Sequence, residues 1–179
     1  MPLQHALVLY FVVPLWLVAG LADWACHRAS HIEETSGARE SALHLVLLAE
    51  MGLPLLAAIY LEVNTLILGL LAAGFIAHEL TTYADLRLAS ARRSIPVPEQ
   101  MVHSVLEMLP LMTLLLLAST HWQAWLALFG LGDESPGLRL AWSPYAPSVE
   151  YSIALAAAVC ALAVGPYTEE LLRSRRQAP

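Results

Sequence analysis

Two stretches of this chain concentrate side chains that bind metal ions. Asp23 to His44 carries His27, His31 and His44 with the carboxylates of Asp23, Glu33, Glu34 and Glu40. His78 to Glu107 repeats the theme with His78, Glu79, Asp85, Glu99, His103 and Glu107. Residues three or four apart share one face of an α-helix. Asp23, His27 and His31 therefore form one stripe, which Glu34 continues, and Glu40 and His44 form a second. His78 and Asp85, with Thr82 between them, make a third stripe, and Glu99, His103 and Glu107 a fourth. Imidazole and carboxylate together suit iron or zinc. A structural zinc takes about four ligands, often thiolates, and the candidates here exceed that, so the set suits two metal ions. Only one of His78 and Glu79 can share the face of Asp85, and His78 is preferred. Glu33 lies off its stripe and is expected to be solvated. Glu50, further round its helix from Glu40, and Glu107 are candidates for moving protons, and Thr82 for orienting an oxidant.

The segments that must carry these stripes are apolar. Of 179 residues, 58% are hydrophobic and 13% charged, against about 25% charged in a soluble domain, and the mean hydropathy is +0.62. A spanning helix needs about 20 mostly apolar residues. Five segments meet this, at about 7–31, 41–61, 65–88, 99–128 and 149–172, within a single transmembrane domain over 1–179. The first apolar run lacks the basic leader of a secretion signal and is expected to be a true span. Pro14, Pro54 and Pro110 fall inside spans, as bundles in lipid tolerate. The two cysteines, Cys26 and Cys160, lie far apart and are expected to be free and buried.

All the basic residues are arginines, and with five spans every one but Arg139 falls on one side. Positive loops mark the cytoplasmic face, so the N-terminus is expected outside an inner (cytoplasmic) membrane and the C-terminus inside. Tyr60, Trp122, Trp125, Trp142, Tyr145 and Tyr151 then cluster at the outer interface, with His5 and His121 as structural or interfacial groups nearby. All four ligand stripes lie at the cytoplasmic ends of their helices. There is no basic stripe suited to nucleic acid, so the bilayer itself is the expected partner.

Glu40-x-x-x-His44 recurs as Glu99-x-x-x-His103, each opening an apolar helix. Glu50-Met51 before Pro54 is echoed by Glu107-Met108 before Pro110. The expected fold is therefore all-α: a duplicated helical hairpin forming a four-helix metal-binding bundle, plus a fifth transmembrane helix. Bundles that project Glu and His inward hold di-iron centres. At class level the chain resembles membrane-embedded di-iron hydroxylases and desaturases, whose His-rich sites also lie at cytoplasmic helix ends, although it has no His-His dipeptide. The resemblance implies an O₂-dependent oxidoreductase acting on a lipid or other membrane-soluble substrate, with an electron donor. Asp23, His27, His31, Glu40, His44, His78, Asp85, Glu99, His103 and Glu107 are the candidate ligands. Zinc at the same site, activating water against a lipid ester or amide, is the first alternative. A metal-ion or proton transporter or sensor and a haem-binding bundle are the others.

Overall fold

The computed structural model describes residues 1–177, and these form a bundle of helices. Five are long and apolar enough to cross a membrane: α1 (Leu3–Ala29), α2 (Ala38–Tyr60), α3 (Thr65–Ser90), α4 (Val97–Thr120) and α5 (Val149–Gln177). A short helix, Trp122–Ala127, follows α4. Among the described residues the only extended pairing is an isolated bridge between Leu61 and Trp142.

Several helix ends shift from the sequence expectation, and three of the shifts have a local cause. The first helix stops at Ala29, because His31 takes a left-handed conformation (φ 52°) that opens a turn to Gly37 (φ 67°). Ile32, fully buried, anchors that turn. The fourth helix ends at Thr120, where the His121 ring satisfies the Leu117 carbonyl at 3.0 Å. The fifth runs on to Gln177, five residues past its apolar stretch, because ion pairs hold its polar end. Arg28 meets Glu169 at 2.9 Å, and Arg173 meets Glu33.

Glu33 is thus not solvated, since its side chain is only 6% exposed. Burial disfavours its charge, yet its own backbone N–H and the Arg173 guanidinium outweigh that and hold the carboxyl below its ordinary pKa. Cys26 is half-buried and Cys160 exposed, so neither free thiol is a core residue.

Two helices widen into π turns, Val8–Val12 in α1 and Cys160–Val164 in α5. Each ends two residues before a proline, Pro14 or Pro166. A proline ring clashes with the carbonyl four residues back, and a π turn relieves the clash by letting the helix bulge. The bulge in α5 sits directly before Tyr167, Glu170 and Ser174, the buried polar stripe of that helix.

In α2 the same problem is solved by a neighbour. Pro54 has no N–H for the Glu50 carbonyl, and Gly74 of α3 packs against that oxygen. A Cβ at Gly74 would lie 2.6 Å from Glu50 O and 3.0 Å from Pro54 Cγ. Gly74→Ala is therefore expected to force α2 and α3 apart. Overpacking of this kind costs about 1–3 kcal/mol, seen as a melting temperature several degrees lower in detergent; an unchanged transition would refute the close-packing account.

The half of the bundle away from the histidines and carboxylates is apolar, packed around Leu9, Met51, Leu55, Leu68, Leu71 and Leu117. The loop after the short helix folds back over the α2–α3 turn. Glu62 N–H donates to Ala141 O and Ser143 N–H to Tyr60 O, both at 2.9 Å. Asn64 caps α3 at Ile67 N–H and ties the loop by donating to Arg139 O at 2.7 Å. The polar ends of all five long helices lie at the opposite end, with the histidines and carboxylates.

Candidate metal centre

Every long helix contributes to one buried polar cluster at that end. The last turns of α1 bring Asp23 and His27, and the first turns of α2 bring Glu40 and His44. Asp85 comes from the end of α3, and Glu99 and His103 from the start of α4. Glu170 and Tyr167 come from α5. Asp23, His27, Glu40, His44, Asp85, Glu99 and Glu170 are each at most 4% exposed.

The His27 and His44 rings stack face to face, 4.3 Å between centroids and 12° from parallel. Glu170 clamps them from one side: Oε2 is 3.0 Å from His27 Nδ1 and Oε1 is 2.7 Å from His44 Nδ1. A carboxylate can only accept, so each Nδ1 must be the protonated nitrogen. On the other side the two Nε2 atoms have no hydrogen-bond partner. His27 Nε2 lies 3.5 Å from Asp23 Oδ1 and 3.5 Å from Glu99 Oε1, and His44 Nε2 lies 3.6 Å from Asp85 Oδ1. His103 Nε2 approaches Asp23 Oδ1 at 2.9 Å, and Tyr167 donates to Asp23 Oδ2 at 3.1 Å.

Arg93, in the loop before α4, binds both Glu40 and Glu99. Burial works against its charge, but the carboxylates of Glu99 and Glu40 outweigh it and hold the guanidinium pKa above its ordinary value. Among the described residues Arg93 is the one guanidinium bonded within this cluster, facing five buried carboxylates. With all five ionised, four negative charges remain, which a low-dielectric interior tolerates only when cations or protons offset them.

Two groups of donors lie close enough to share an ion. Asp23, His27 and His103 offer atoms within 4.8 Å of one another, as do His27, Glu40 and His44. A chamber of about 70 Å³ adjoins them, bordered by His78, Thr82 and Glu107 along with Asp85, His103 and Tyr167. His78 is buried, with an unpartnered Nδ1, while Glu79 is exposed. Two expected residues are not brought to the cluster. His31 is exposed in its turn and faces Glu33 at 3.5 Å. Glu50 accepts from Thr81 at 2.8 Å and does not border the chamber.

Glu170 and Tyr167 escaped the sequence reading. The available signal was Tyr167, Glu170 and Ser174 at helical spacing, but it sits beside Glu169 and Arg173 and looks like an ordinary interfacial helix end. Ser174 pairs with Ser41 of α2 at 3.0 Å, which seats this end of α5 against the cluster. No protein-family model, curated protein or solved structure matches this chain.

Proposed function

We propose that the chain is an integral-membrane metalloenzyme whose polar cluster holds two metal ions, read as iron, and oxidises a lipid or other membrane-soluble substrate by hydroxylation or desaturation. The observation that carries this reading is the Glu170 clamp. By holding both Nδ1 protons, Glu170 aims two Nε2 lone pairs at carboxylate oxygens 3.5–3.6 Å away. That spacing is too long for a good hydrogen bond. Ligands each about 2.1 Å from one metal sit roughly 3.0–3.4 Å apart, close to what is seen. A carboxylate behind a ligating imidazole is also the usual way its tautomer and aim are set. Two divalent cations balance the four excess negative charges.

Bound iron would supply activation of O₂, in a reaction that turns R–H, O₂, two electrons and two protons into R–OH and water. An external donor supplies the electrons. Glu107 and Thr82 border the chamber, where a carboxyl group can deliver protons and a hydroxyl can orient the oxidant. Tyr167 fixes Asp23 through its phenol, which leaves Oδ1 to the histidine side.

The ligand set also supports a duplicated hairpin. Exchanging α1–α2 with α3–α4 carries the His103–Asp23 pair onto the His44–Asp85 pair. The same exchange relates Glu40 to Glu99, which share Arg93. α5 lies outside this symmetry and adds the clamp. The arginine-rich end of the bundle is assigned to the cytoplasmic side, which leaves the N-terminus outside.

Metal content and the absorption spectrum of detergent-purified protein test the reading, beside a His44→Ala/His103→Ala variant. About two irons per chain, as di-iron bundles hold, lost in the variant, is the expected result. Colourless zinc protein would redirect the function to hydrolysis, and folded protein without metal would overturn the enzyme reading.

A further inference from the structure

A second cavity lies directly outward of the chamber. It is a groove of about 90 Å³ between α1, α2 and α5, with almost entirely apolar walls. Trp16 and Leu48 line both spaces and so stand between the groove and the polar chamber. From Leu48 the groove follows α2 as far as Ile59, a run of about 16 Å at the helical rise. Its wall includes Leu56, which is 39% exposed, so the groove opens onto the lipid-facing surface.

The wall of the groove includes Gly52. Glycine is the poorest non-proline helix former, and within a membrane bundle it usually earns its place by letting another helix come close. Gly74 does this; Gly52 does not. A Cβ at Gly52 would meet nothing within 4 Å. Its backbone is helical and needs no positive φ. Packing between helices leaves the glycine unexplained, whereas a chain lying across it accounts for the missing side chain.

We propose that this groove binds the hydrocarbon tail of the substrate, a single unbranched acyl chain, and that Trp16 and Leu48 form the gate through which the reacting carbon reaches the chamber. The oxidase reading gives the chamber its role in this inference, but occupancy of the groove is measurable without it. A ring or a branched headgroup does not suit a narrow slot between three helices, and an acyl chain matches its apolar walls. The slot also lies at the depth of the bilayer core, so a lipid tail enters without leaving the membrane.

The test is photo-crosslinking with a long-chain fatty acid bearing a terminal diazirine, on detergent-purified protein, with adducts mapped by mass spectrometry. Wild-type adducts are expected on Leu55, Leu56, Ile59, Leu155 and Val159, competed by unlabelled fatty acid. Gly52→Phe is expected to lower this labelling about tenfold, as a steric block does, while Gly52→Ala keeps it, and both retain the metal content of wild type. Adducts scattered over lipid-facing positions such as Val46, Ile76 and Ile153 would overturn the proposal, as would undiminished groove labelling in folded Gly52→Phe. Labelling is repeated after chelation. Groove adducts in protein that never holds metal would keep the tail site and remove only the oxidase reading.

Discussion

Replacing His27 with alanine is expected to remove more metal from the purified protein than any other single histidine substitution. His27 belongs to both groups of donors, the one with Asp23 and His103 and the one with Glu40 and His44. Its Nε2 also faces Glu99 at 3.5 Å. On the two-metal proposal, loss of the ring would take a nitrogen from one ion directly. It also removes the stacking partner that holds the His44 ring parallel at 4.3 Å, which loosens the other. His103 belongs to one group only, and His103→Ala is expected to keep part of the metal, on the order of one ion of two.

The ordering matters more than either value. A merely structural cluster of neutral and protonated histidines predicts no graded loss, because there would be no metal to lose. His5→Ala is the control for deletion of a buried imidazole. His5 is 8% exposed and lies against Tyr145, at the opposite end of the bundle from the cluster, and the variant should keep its full metal content. Helicity and elution volume check that each variant is folded. Wild-type metal in folded His27→Ala would sink the assignment of this residue.

Much of the site was legible in the sequence because helical spacing and membrane depth are properties of a single helix. Asp23, His27, Glu40, His44, Asp85, Glu99 and His103 each stand on an apolar helix near its polar end, where a buried charge must have a partner. Periodicity also separates His78 from Glu79, one of which is buried and the other exposed. His31 was misplaced for a local reason: the helix ends at Ala29, and a left-handed residue at the next turn swings that ring out of the stripe. The break falls within the usual uncertainty of a helix end.

What connects different helices was not legible. Arg93 lies in a loop, and nothing in its neighbourhood says that its guanidinium turns inward to join Glu40 and Glu99 rather than outward to lipid headgroups. Glu33 and Arg173 are 140 residues apart, and their pairing depends on α5 docking beside the first turn. The groove depends on an empty volume bounded by three helices, and its one sequence trace is a glycine inside an otherwise strong helical stretch.

The second large effect is expected at Glu170, where Glu170→Gln should weaken metal binding although the residue belongs to neither group of donors. The carboxylate accepts from two Nδ1–H groups, one oxygen to each ring. A glutamine offers one carbonyl oxygen and one NH₂, so one imidazole would meet a donor where it now meets an acceptor. That ring resolves the conflict by moving its proton to Nε2, the nitrogen aimed at the ion site, and a protonated nitrogen cannot ligate. Loss of such an outer partner costs about 10–100-fold in metal affinity. Competition against a calibrated chelator measures this for wild type and variant in the same detergent. Glu170→Asp keeps both acceptor oxygens on a shorter arm and should restore part of the loss, whereas Glu170→Ala should not. A residue that only helped α5 to pack would lower the melting temperature in all three variants without this order of affinities. If the glutamine variant binds metal as tightly as wild type, the clamp does not set the histidine tautomers, and the strongest support for a metal centre goes with it.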